Sequence, residues 1–112
     1  MSATQLPALL DKQIGQLKAH DLDAMMNNYH EDAVVMRPGA VARGREEIRD
    51  FFAEYLKMNP QIEDIMTADG TEDIILYYAT IRIGDQAHKD VGTWVLKDGL
   101  IWRQTAVLVS ED

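Results

Sequence analysis

His88 and Asp90 stand two residues apart in the run AHKDVGTW, and in an extended strand that spacing points both side chains to one face. A histidine titrating near neutrality can shuttle a proton, and an aspartate can act as base or orient a partner. Together they are the acid–base pair that this chain offers a cavity. They also lie close to Gly84-Asp85, so a solvated rim position is the competing reading. Arg37 is the second focus. It precedes Pro38 at the end of a β-prone run and brings a fixed positive charge with a planar fork of donors. That suits it to holding a carboxylate or enolate oxygen and makes it a poor base. A salt bridge to Asp32 or Asp90 at the mouth of the fold would use the same charge differently. Tyr29, Tyr77 and Gln104 can donate hydrogen bonds to a carbonyl. Phe52, Trp94 and Trp102 would supply apolar walls that exclude water and shift pKa values.

These residues need elements to position them. Leu6, Leu9, Leu10, Ile14 and Leu17 recur at helical spacing, with Thr4 as cap and Pro7 in the first turn, which predicts a helix over residues 5–19. Gln13 lies inside that stripe, so it must meet a neighbour, a water or a ligand. Asp21 caps a second, short helix whose apolar face runs Leu22, Met25, Met26 and Tyr29. Ala33 to Met36 form a short strand stopped by Pro38-Gly39. Gly44 then leads into a third helix with Ile48, Phe51, Phe52, Tyr55 and Leu56 on one face, ended by Asn59-Pro60. Four strands follow, at 62–68, 74–83, 87–96 and 100–109, separated by Asp69-Gly70, Gly84-Asp85 and Asp98-Gly99. Met25, Met26, Met36, Met58 and Met66 are expected to fill the core.

Turn chemistry sets the register, and register decides which side chains point inward. Gly84-Asp85 as a two-residue loop pairs Ile83 with Gln86, Ile81 with His88, Ala79 with Asp90, Tyr77 with Gly92 and Ile75 with Trp94. Lys97-Asp98-Gly99 as a three-residue loop then pairs Trp94 with Trp102 and Gly92 with Gln104. A two-residue Asp98-Gly99 loop would instead flip the last strand and bring Arg103 beside Trp94. In the first version His88, Asp90, Gly92, Trp94, Trp102, Gln104, Ala106 and Leu108 share the face that meets the helices. The opposite face holds Leu76, Tyr78, Val91, Val95 and Val107 among threonines and charges. It is apolar enough to suggest a homodimer formed sheet against sheet, with a solvated face as the alternative. Helices grouped on one side of a curved antiparallel sheet define an α+β fold.

Composition narrows the classes. A chain of 112 residues is one domain spanning 1–112, with 46% hydrophobic residues and no apolar run of the roughly 20 residues a spanning helix needs. The opening MSATQLPALLDKQ lacks a basic start and an apolar core, so a cytoplasmic location is expected and no membrane association. Zero cysteines remove thiol chemistry and disulfides, and three scattered histidines argue against a metal site. A net charge of −8 argues against nucleic acid. No cofactor is expected, which leaves a small hydrophobic molecule or a protein as partner.

Taken together, QLKAHDLDAMMNNYHEDAVVMRP, GREEIRDFF and DGLIWRQTA resemble the nuclear transport factor 2-like superfamily, in particular its SnoaL-like and ketosteroid-isomerase-like members. The specific parts are Asp21, the tyrosine-x-x-aspartate-alanine run at Tyr29 to Ala33, Pro38, and the glycine-initiated helix at Gly44. The resemblance implies a cone-shaped α+β barrel, a cystatin-like roll, a scaffold that hosts isomerases, polyketide cyclases, dehydratases, epoxide hydrolases and non-enzymatic modules. The steroid isomerases of the family use an aspartate base before the strand-ending proline, a tyrosine and a protonated aspartate. The matching positions here are Arg37, Gln13 and Gly92, so that mechanism is not expected. What remains is a cofactor-independent isomerase, cyclase or lyase acting on a small hydrophobic carbonyl compound, with His88 and Asp90 handling protons and Arg37 holding an oxyanion. The alternative is a ligand-binding or dimerisation module of the same fold.

Overall fold

The computed structural model describes residues 7–110, and in them three helices pack against one face of a six-stranded sheet. The expected cap Thr4 and the first helix's beginning, with Leu6, lie outside the described residues. Helix α1 spans Ala8–Lys18 and buries Leu10, Gln13 and Leu17. Helix α2, Leu22–Met26, is capped by Asp21, whose Oδ1 accepts from the Ala24 N–H at 3.2 Å. Tyr29 does not continue α2. It opens strand β1, Tyr29–Arg37, where it pairs with Ile101. A short run at helical spacing was compatible with both elements, and strand pairing decided.

Pro38-Gly39 makes a two-residue turn with Gly39 at φ +79, and it is followed by a strand that the periodicity did not indicate, β2, Ala40–Arg43. Gly44, at φ +78, takes the corner into α3, Gly44–Lys57, which turns Ile48, Phe52 and Leu56 inward. Arg45 ties this helix to β1 by donating from Nε and Nη2 to the Tyr29 carbonyl at 2.9 and 2.7 Å. Strands β3, Gln61–Gly70, β4, Ile74–Ile83, β5, Gln86–Lys97, and β6, Leu100–Ser110, form the meander.

The sheet runs β2-β1-β6-β5-β4-β3 and stays open between its two edge strands. It is mixed, because β6 returns beside β1 in parallel while every other pair is antiparallel. An entirely antiparallel sheet was expected, since hairpin turns alone do not reveal which strands meet at the ends of the meander. Met25 and Met26 are buried as expected, but Met36, Met58 and Met66 are exposed and fill no core. No helix among the described residues is long and apolar enough to cross a membrane.

The β4–β5 pairing matches the expected register at all five positions. The β5–β6 pairing does not. Asp98 and Gly99 are both left-handed, at φ +55 and +77, and close a two-residue turn with Lys97 opposite Leu100. A bulge beyond Leu96 and Ile101 then adds Trp102 as an extra residue, so that Trp94 faces Gln104 and Gly92 faces Ala106. The tight turn alone would flip β6, and the bulge flips it back. Gln104, Ala106 and Leu108 therefore keep the inward parity of the expectation while Trp102 loses it.

Candidate functional site

Between the helices and the inner sheet face lies a cavity of about 190 Å³. Leu10, Gln13, Ile14 and Leu17 of α1 line it, as do Phe51, Phe52 and Tyr55 of α3. The sheet contributes Tyr77, Ala79 and Ile81 of β4, Asp90 and Trp94 of β5, and Gln104, Ala106 and Leu108 of β6. Arg37 and Pro38 close one side. The volume falls below the roughly 300–1,000 Å³ of drug-sized ligand sites.

Of the sequence-derived candidates, Arg37, Asp90, Gln13, Phe52, Tyr77, Trp94 and Gln104 meet around this space. Three do not. His88 stands opposite Ile81, which lines the cavity, and Ser110, but is not itself a lining residue. Trp102, displaced by the bulge, lies outside the cavity, stacked on the Arg103 guanidinium at 3.8 Å and near Lys97 at 5.2 Å. Tyr29 is fully buried one layer behind the lining. Tyr55 is the residue that sequence reasoning passed over. Its place on the α3 face with Phe51 and Phe52 was the available signal, and the Phe52 and Tyr55 rings meet edge-on at 6.3 Å.

Asp90 is the one carboxylate lining the cavity. Burial pushes it up from 3.8 to about 6, against the opposing pull of a hydrogen bond from the Tyr77 hydroxyl at 3.4 Å. The hydroxyls beside it stay protonated. Tyr77 is raised by burial and then by the Asp90 charge, and Tyr55 likewise by burial and by Asp90, with Arg37 pulling it back. The Arg37 side chain makes no hydrogen bond or ion pair among the described residues. Its guanidinium lies over Phe51 at 5.6 Å. The salt bridge to Asp32 or Asp90 is therefore absent, and the charge is available to a ligand. One wall thus combines a base that is ionised at neutral pH, two neutral donors and a fixed cation.

Gly92 explains how Tyr77 reaches Asp90. A Cβ built on Gly92 would collide with Tyr77 Oη, Cζ and Cε2, so the tyrosine ring lies across β5 in the space that glycine leaves. Gly92→Ala is expected to displace Tyr77 at a cost of about 1–3 kcal/mol by thermal unfolding. Loss of the hydrogen bond that lowers Asp90 should also move its titration above about 6. A titration unchanged by the substitution would separate Tyr77 from Asp90.

The inner end of the cavity is walled by a chain of amides and a hydroxyl. Asn28 Nδ2 donates to Gln13 Oε1 at 2.7 Å and to Gln16 Oε1 at 2.6 Å. Gln13 Nε2 donates to Tyr29 Oη at 3.0 Å, and Tyr29 Oη donates to Gln104 Oε1 at 2.6 Å. Here Gln13 finds the neighbours that its place in an apolar stripe required.

The sequence profile described as SnoaL-like domain matches residues 11–104. No curated protein matches the chain. Among solved structures, a Kribbella flavida DSM 17836 protein provisionally assigned as a ketosteroid isomerase superimposes with a TM-score of 0.84 at 20% identity, covering 94% of this chain and 78% of that one. A Sinorhizobium meliloti protein provisionally assigned as a polyketide cyclase gives 0.80 at 22% identity, covering 90% and 94%. An NTF-2-like protein of unknown function from Burkholderia xenovorans LB400 gives 0.82 at 18% identity, covering 94% and 83%. At these identities the likeness is one of fold.

Proposed function

The chain belongs to the SnoaL-like domain family within the nuclear transport factor 2-like fold, and from that premise we propose that it is a cofactor-independent isomerase, cyclase or lyase acting on a small, largely apolar carbonyl compound. What carries this reading is Asp90, a carboxyl held near 6 in an apolar wall beside two protonated tyrosines and a guanidinium without a partner among the described residues. In the proposed step the Asp90 carboxylate takes a proton from the carbon next to a carbonyl. The C–H electron pair becomes the new C=C bond, the C=O π pair moves onto the oxygen, and Arg37 with the Tyr55 hydroxyl stabilises the resulting enolate. Returning the proton elsewhere isomerises the substrate, and expelling a group from the next carbon is an elimination. His88 is given no part in this step, because it is not among the residues that line the cavity.

The test follows α-hydrogen exchange of 2-tetralone in deuterated buffer by NMR. Exchange faster in the presence of the protein than in buffer, and slowed at least about 10-fold by Arg37→Met, is the expected result. Binding without exchange would leave a ligand-binding module of the same fold in place of an enzyme.

The outer sheet face supports a second proposal, a homodimer through the sheet. Tyr78, Val91 and Val107 form one cross-strand row, with Leu76 and Met36 in the next, and all five are exposed. The protein is expected to sediment at twice its 12.7 kDa. Val91→Asp, which sets a charge in the middle of that row, should return it to monomer. A wild-type monomer at tens of micromolar would remove this proposal.

A further inference from the structure

The hydrogen-bond chain at the inner end of the cavity has a direction, and its direction has a chemical meaning. Asn28 spends its amide donors on Gln13 and Gln16, Gln13 must then donate to Tyr29, and Tyr29 must donate to Gln104 Oε1. Run this way, the chain leaves one buried acceptor, Asn28 Oδ1, without a partner. Reversed, it would strand both N–H donors of that buried amide, the costlier arrangement. The last member, Gln104, is 6% exposed, lines the cavity, and has Nε2 unbonded to any described residue. The buried side-chain polar atoms lacking partners among the described residues are Asn28 Oδ1 and Trp94 Nε1, so Gln104 Nε2 is not sealed off and opens onto the cavity. Its cross-strand neighbour Trp94 carries the other unanswered donor.

We propose that this inner end is an acceptor-oxygen subsite with Gln104 Nε2 as its donor, so that the substrate carries a second carbonyl at the end remote from Asp90. The placement supports it. On β6 the partner of Asp90 is Leu108, four residues from Gln104 on the same face, a backbone separation of roughly 13 Å. Once the two side chains reach inward, the span left suits a fused two-ring molecule with oxygens at opposite ends. Arg37 and Tyr55 serve one oxygen and Gln104 the other, while the apolar walls from Leu10, Phe52 and Trp94 hold the rings between them. This inference rests on the proposed function only for the role of Asp90 and Arg37. The subsite itself is a matter of binding.

The experiment compares trans-decalin-2,6-dione with trans-2-decalone by calorimetry or NMR titration. Wild type should bind the dione about 3–10-fold more tightly, the worth of one added hydrogen bond. Gln104→Met, which keeps the length and removes both the donor and the oxygen that accepts from Tyr29, should bring the ratio close to 1 whatever it does to the two affinities individually. In wild type the Gln104 side-chain amide signals should shift with the dione and stay in place with 2-decalone, a readout that needs no variant to fold. A dione preference that survives Gln104→Met, equal affinities in wild type, or amide signals that ignore the dione would each overturn the subsite. These outcomes are independent of turnover, so an absent exchange activity would remove the enzyme reading and leave the subsite intact.

Discussion

An Asp90→Asn variant is expected to lose proton-transfer activity by roughly 10²- to 10⁴-fold while keeping its fold, because the amide fills the same volume and cannot accept the proton. The pH profile is the sharper readout. In the proposed step Asp90 works as the ionised base, so wild-type activity should rise as pH increases through about 6, and the residual activity of the variant should show no inflection there. An Asp90→Asn enzyme with wild-type rates would sink the proposed step.

Stability should move the other way, and the sign is informative. A carboxyl raised in the folded state is a penalty that is absent below its unfolded value of 3.8 and appears as pH rises through about 6. Holding it there corresponds to about 3 kcal/mol at neutral pH, an upper figure because Asp90 retains some contact with solvent. Asp90→Asn should therefore be more stable than wild type at pH 7.5, by as much as 1–3 kcal/mol, and indistinguishable from it below pH 4. A base that costs stability and supplies activity is the trade expected of a functional carboxylate. An Asp90 present only as a rim residue would give neither effect.

How far the sequence reached depended on what decides each feature. The β4–β5 register was legible because Gly84-Asp85 admits one tight loop, and alternation then carries Ala79 opposite Asp90 and Tyr77 opposite Gly92. Arg37 was legible because Pro38 ends the strand at a known residue. Trp102 was not. Its outward displacement depends on a bulge that places Ile101 in the core and Gln104 against Tyr29 at once, and no local composition marks that competition. His88 keeps the inward parity and faces the lining residue Ile81 without lining the cavity itself, since period two says which face a residue takes and nothing of how far its side chain reaches. Tyr29 shared helical spacing with Leu22, Met25 and Met26, but its pairing with Ile101 and the Arg45 grip on its carbonyl are tertiary facts. The volume of the cavity is tertiary as well, since it depends on how far α1 and α3 stand from the sheet.

Tyr29→Phe is expected to cost about 2–4 kcal/mol, lowering the thermal midpoint by about 10 °C or more, although it deletes a single oxygen. That oxygen is both acceptor and donor: it takes the Gln13 Nε2 hydrogen at 3.0 Å and gives its own to Gln104 Oε1 at 2.6 Å. Its removal leaves a donor and an acceptor without partners in a place that excludes water, each worth about 1–3 kcal/mol. The ring itself is retained, so its packing on Phe52, with centroids 5.9 Å apart, accounts for none of the loss. Burial raises the Tyr29 hydroxyl well above its ordinary pKa, so it is neutral throughout the working range and the cost should not vary between pH 5 and 8. The same deletion frees the Gln104 amide to turn, and a rotated amide can present its oxygen to the cavity. The preference for the dione over 2-decalone should then fall along with stability. A loss under about 0.5 kcal/mol would mean that water replaces the hydroxyl, and an inner end open to water could not hold Gln104 in one orientation.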